Sequence, residues 1–169
     1  GMYYLGKERY LRAQEEFTYV VISGSHTELG DDAQFYLAES YFLNEEYVQA
    51  IADYDQLIRK MPFTPFMQKS RYRICESYVQ ESLPYYKDQT YTDKALDKLQ
   101  EFLDDFPATK HKEEATSLIQ TLRNKLAKKP KSKLTQGPSV QDKKNYLDLK
   151  NQSRTIHSHE LLHQGDRKS

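Results

Sequence analysis

The chain has 169 residues, 37% of them hydrophobic and 30% charged, with 25 Lys/Arg balanced by 25 Asp/Glu. That suits one ordinary domain with a real but thin core, and the zero net charge removes any global electrostatic argument for nucleic acid. The single cysteine, Cys75, excludes an intramolecular disulfide and a thiolate zinc cluster, and no apolar run approaches the ~20 residues that span a bilayer.

In chain order the pattern is helical from Tyr3 onward, and it repeats. A shift of 37 positions superposes Tyr4, Tyr41 and Tyr78, and sets Tyr10 on Tyr47, Ala13 on Ala50 and Phe17 on Tyr54. The same shift matches Glu39-Ser40-Tyr41 with Glu76-Ser77-Tyr78. A shift of 45 sets Ala50 on Ala95, Leu57 on Phe102 and Pro62 on Pro107, so eight extra residues fall within Ser82–Thr90. Self-similarity at this period marks stacked helix pairs, each burying one face against its neighbours.

The first repeat reads as partial, with the end of its first helix at Met2–Gly6 and its second helix at Tyr10–Ile22. The second, Asp31–Pro62, is the clearest. Leu37, Ala38 and Tyr41 share a face of its first helix, and small Ala38 lets the partner approach. Tyr47, Ala50, Tyr54 and Leu57 form the i, i+3, i+7, i+10 stripe of its second helix. Asn44-Glu45-Glu46 turns between them, and Pro62 ends the unit because it cannot continue a helix. The third pair covers Gln68–Gln80 and Asp93–Phe106. A fourth first helix spans Lys112–Lys128 on Ala115, Leu118, Ile119, Leu122 and Leu126. No period-two pattern supports a strand.

Small-against-large packing between short antiparallel helices resembles the tetratricopeptide consensus. The expected fold is an all-α tetratricopeptide superhelix over residues 1–129. Residues 130–169 read as a linker and weakly structured tail, opened by Lys129-Pro130 and Gln136-Gly137-Pro138-Ser139, with a weak helix at Gln141–Asn151. This tail carries eight Lys/Arg against four Asp/Glu, leaving 17 against 21 in the body.

The insertion ending in Asp88-Gln89-Thr90, followed by Lys94-Ala95-Leu96, Glu101-Phe102-Leu103, Phe106-Pro107 and the Ala115/Leu118/Leu122 helix, resembles one family closely. It is similar to the outer-membrane β-barrel assembly lipoproteins of the BamD type. Gln34–Tyr41 and Tyr47–Ile51 fit the same family. The resemblance covers residues 2–129. It implies a periplasmic, non-catalytic scaffold held to the outer membrane by a lipid anchor, with unfolded outer-membrane proteins and barrel-assembly subunits as partners. The lipidated N-terminal cysteine has no counterpart in this sequence, and the tail stands where the second helix of repeat four and a fifth repeat are expected. A generic periplasmic tetratricopeptide adaptor, or an accessory repeat domain of a larger complex, would share the repeats but not the insertion.

A tetratricopeptide array offers partners the surface lined by its first helices. This geometry points to Phe35, Glu39, Phe42 and Leu43 in repeat two, and to Tyr72, Glu76, Val79 and Gln80 in repeat three, with Met2 and Leu5 at the rim. For Phe42 and Leu43, groove and core stay equally open; Glu39 and Glu76 are expected to be exposed on charge alone. Tyr4, Tyr41, Tyr47, Tyr54 and Tyr78 read as core. Tyr85, Tyr86, Asp88 and Gln89 form a candidate loop contact, although for the two tyrosines pinning the loop to the array is the favoured reading. Cys75 occupies the position of Ala38 and reads as a buried spacer. His157, His159 and His163 have metal-compatible spacing, but no carboxylate or thiolate completes a site. With no phosphate loop and no nucleophile–base pair, neither a cofactor nor an enzymatic activity is expected.

Overall fold

The computed structural model describes residues 1–24 and 29–128, together with Gln141, Lys144, Asn145, Leu147 and Asp148. Among the described residues, seven helices follow one another between residues 2 and 127: α1 (Met2–Leu5), α2 (Tyr10–Gly24), α3 (Leu29–Leu43), α4 (Tyr47–Lys60), α5 (Met67–Glu81), α6 (Thr90–Asp105) and α7 (Lys112–Ala127). No strand occurs among the described residues. Each helix packs on the next, and α3 also touches α5, as in a tetratricopeptide superhelix. The pairs α1–α2, α3–α4 and α5–α6 are therefore repeats one to three, and α7 opens the fourth. No described helix is long and apolar enough to cross a membrane.

The small residues at equivalent places explain the close packing. Ala13, Ala38, Ala50, Ala95 and Ala115 are all fully enclosed, and Cys75 sits likewise where Ala38 does. Three apolar clusters result. Leu5, Ala13, Phe17 and Leu37 join α1, α2 and α3. Phe35, Phe42, Tyr54, Leu57 and Ile74 join α3, α4 and α5. Tyr72, Cys75, Leu99, Phe102, Ile119 and Leu122 join α5, α6 and α7. On α7 the expected stripe is buried at Ala115, Ile119 and Leu122 and half-buried at Leu118 and Leu126.

Of the five tyrosines expected in the core, only Tyr54 is fully enclosed. Tyr4, Tyr41, Tyr47 and Tyr78 are half-buried and pack against the cluster edges. In the tail, Gln141, Lys144, Asn145, Leu147 and Asp148 are helical and exposed, in the stretch where a weak helix is expected. Gln141 Nε2 donates to Asn145 Oδ1 one turn on. The remaining tail positions, His157, His159 and His163 among them, lie outside the described residues.

Candidate functional site

The first helices α3, α5 and α7 share a face, and the central feature there is an ionic network. Glu39 of α3 is only 4% exposed. Its Oε1 accepts a hydrogen bond from the Tyr54 hydroxyl at 2.5 Å and another from Arg73 Nε at 2.8 Å. Lys69 Nζ lies 3.5 Å from its Oε2. Arg73 Nη1 donates in turn to Glu76 Oε2 at 2.8 Å. The cations also lie over rings, Arg73 4.8 Å from the Phe42 centroid and Lys69 4.8 Å from that of Phe35. A buried charge survives only when paired and hydrogen-bonded, and Glu39 meets that condition through groups from two neighbouring helices, α4 and α5.

The two glutamates respond oppositely to this setting. Burial opposes ionisation of Glu39, but Arg73, Lys69 and the Tyr54 hydroxyl outweigh it and hold the carboxyl at about 2. Burial pushes the Glu76 carboxyl up. The single Arg73 contact does not offset it, and the negative charges of Glu114 and Glu39 add to the rise.

This geometry corrects the expected groove. Glu39 and Glu76 are buried, not exposed, and both pair with Arg73, which outweighs burial only at Glu39. Phe35, Phe42 and Tyr72 are 1%, 5% and 3% exposed and belong to the clusters between neighbouring helices. Phe35 stacks on Phe66 at 4.2 Å, and Phe42 meets Tyr47 edge-on at 5.4 Å. Leu43, Val79 and Gln80 stay half-buried, with surface to offer. At the rim Met2 is exposed and Leu5 buried.

The insertion between α5 and α6 is internally braced. Gln89 is buried, and its Nε2 donates to the carbonyls of Pro84 at 2.8 Å and Lys87 at 3.0 Å. Its Oε1 accepts from the Thr92 hydroxyl at 2.8 Å, and Thr92 pairs with the Ser82 hydroxyl at 2.6 Å. Lys125 of α7 donates to the Ser82 carbonyl at 3.2 Å and to its hydroxyl, capping the end of α5. Burial brings the Lys125 ammonium down to about 8. Gln89 is thus a brace for the loop. Asp88 is exposed, and its Oδ1 accepts from the Thr90 amide at 3.0 Å and the Thr90 hydroxyl at 2.8 Å. Tyr85 and Tyr86 meet edge-to-face at 5.5 Å, with Tyr86 facing solvent.

Sequence reasoning passed over Arg73, Lys69 and Tyr54 as members of this network. One signal was available: the identical Glu-Ser-Tyr at a shift of 37 places a charge beside serines, Ser40 and Ser77, that are wholly enclosed. Among the described residues no cluster of His, Cys, Asp and Glu has the makings of a metal site.

Stacked helix pairs with close-packed alanines and a shared first-helix face define a tetratricopeptide-type repeat protein. The chain belongs to the YfiO family, described as outer membrane lipoprotein, which matches residues 1–132. This is the BamD-type family to which the insertion and its flanking motifs pointed. No curated protein matches the chain.

Proposed function

We propose that this chain is a protein-binding scaffold subunit of the machinery that assembles β-barrels into the outer membrane, working at the periplasmic face and carrying out no catalysis. Its partners are unfolded outer-membrane proteins and other assembly subunits. The family membership of residues 1–132 carries this reading. The helical-repeat architecture supports it, because such arrays present extended surfaces to polypeptides. The contact surface comprises Leu43, Val79 and Gln80 on the first helices, with Tyr85 and Tyr86 on the braced loop. Rigid, amphipathic aromatic rings held by a fixed backbone bind at low conformational cost.

The test is a titration with a labelled C-terminal peptide of an outer-membrane barrel ending in an aromatic residue, against a scrambled peptide. Saturable binding with Kd on the order of micromolar is expected. A Leu43→Ser/Val79→Ser variant should weaken it about tenfold while keeping its helical spectrum. Phe35→Ala and Phe42→Ala are unsuitable probes, because both remove core packing. Equal binding of the scrambled peptide would overturn capture of barrel substrates by this surface.

A further inference from the structure

The junctions between successive first helices follow one plan, and the second departs from it at one place. At the α3–α5 junction, Phe35 stacks on Phe66, and Lys69 reaches both the Phe35 ring and Glu39. Shifts of 37 and 45 residues carry this arrangement to the α5–α7 junction. Tyr72 replaces Phe35, His111 replaces Phe66, and the two rings stack at 4.0 Å. Glu76 takes the place of Glu39. Lys69, however, becomes Glu114, and Arg73 becomes Leu118. The second junction keeps the carboxylate and the ring stack but lacks both cations that the following helix supplies at the first.

Its carboxylates draw on Arg73 and His111 instead, and the hydrogen bond from His111 holds the Glu114 carboxyl below its ordinary value. Arg73 Nη1 serves one oxygen of Glu76, and His111 Nδ1 stands 3.5 Å from Glu114 Oε2. The Tyr72 hydroxyl is buried and has no partner at hydrogen-bond geometry, although it faces the Glu114 carboxylate. Burial pushes the Glu76 carboxyl up, as befits a carboxylate short of positive charge. The junction reaches solvent at Glu114, whose side chain is 36% exposed, and less at His111, whose side chain is 17% exposed.

We propose that the α5–α7 junction takes its missing cation from a bound polypeptide: an arginine side chain enters beside His111 and is held by Glu76, Glu114 and the Tyr72 hydroxyl oxygen. The guanidinium presents five donors in a planar fork, which suits two carboxylates and a phenolic oxygen converging from two helices. The first junction, where Lys69 and Arg73 do this work within the chain, is the internal template. The inference rests on the protein-binding reading above and names a side chain that the bound segment carries.

The test follows backbone amide shifts of the whole chain by NMR, titrating an acetylated, amidated Ala-Arg-Ala tripeptide against the same peptide with citrulline, the neutral isostere. Saturable binding on the order of millimolar is expected, with shifts centred on residues 72–76 and 111–114, and the citrulline peptide at least about tenfold weaker. Glu114→Gln should weaken binding about tenfold, and Tyr72→Phe about threefold. Equal affinity for the citrulline peptide overturns the site, as does undiminished binding in a folded Glu114→Gln variant. If the barrel peptide binds and the arginine peptide does not, only the cation site fails. If the arginine peptide binds and the barrel peptide does not, only the barrel-substrate reading fails.

Discussion

Glu39 and Glu76 stand 37 residues apart at one repeat position, yet their surroundings drive ionisation in opposite directions. Glu39 is held at about 2 against an ordinary 4.5, so its folded-state value is depressed. A depressed carboxyl contributes stability above the unfolded value and loses it as pH falls toward the folded one. Here that window runs from about pH 5 down to 2, and the contribution is about 3 kcal/mol. Glu76 is raised, so its charge costs stability at neutral pH, and acidification relieves that cost. Urea denaturation of Glu39→Gln is therefore expected to show a loss of about 3 kcal/mol at pH 7, with a smaller further loss than the parent between pH 5 and 3. Glu76→Gln should stay within about 1 kcal/mol of the parent, because a neutral amide still accepts from Arg73. Equal losses in the two variants would contradict the network. Beyond the repeated Glu-Ser-Tyr, this was not legible in the sequence. Charge alone argues for exposure, and the compensating groups come from Tyr54, Lys69 and Arg73, which are 15, 30 and 34 positions from Glu39.

The helices themselves were legible, because apolar residues recur at helical spacing and the 37-residue shift doubles each signal. The repeat extends even to backbone conformation. Glu8 and Glu45, again 37 apart, are the residues in the left-handed region among those described, with φ of 56° and 63°. Each follows a first helix, and the next amide closes the turn: Arg9 N donates to Tyr4 O and Glu46 N to Tyr41 O, both at 2.9 Å. That six-to-one bond is the Schellman closure, whose left-handed position normally takes glycine. Glu45→Gly is therefore expected to stabilise the protein by up to about 1 kcal/mol, read as a raised melting temperature with an unchanged helical spectrum. A loss would mean that the Glu45 side chain contributes more than its backbone costs. The insertion was legible as an insertion, since it breaks the period by eight residues. Its brace was not, because Gln89 acts on the carbonyls of Pro84 and Lys87, and carbonyl directions leave no trace in residue identity.

At the scale of the molecule, the three apolar clusters lie in series along the chain, and α3 and α5 each belong to two of them. On α5, Ile74 faces the cluster with α3 and α4, while Tyr72 and Cys75 face the one with α6 and α7. Stability in such an array is a sum of repeat and interface contributions, so damage stays near its source unless something couples the units. Leu99 is fully enclosed at the centre of the α5–α6–α7 cluster. Leu99→Ala is expected to cost about 2–5 kcal/mol and to leave an unfilled cavity. Hydrogen exchange should then show α6 and α7 losing protection first, with α3 and α4 retaining theirs. The Glu39–Arg73 pair is the main polar tie across α3 and α5, so it decides how far the loss spreads. In a Glu39→Gln background the same substitution should leave the exchange boundary between α4 and α5 sharper, because opening α5 no longer exposes a buried charge on α3. A uniform loss of protection from α2 to α7 in both backgrounds would show that apolar packing through α5, and not the ionic tie, makes the array one cooperative unit.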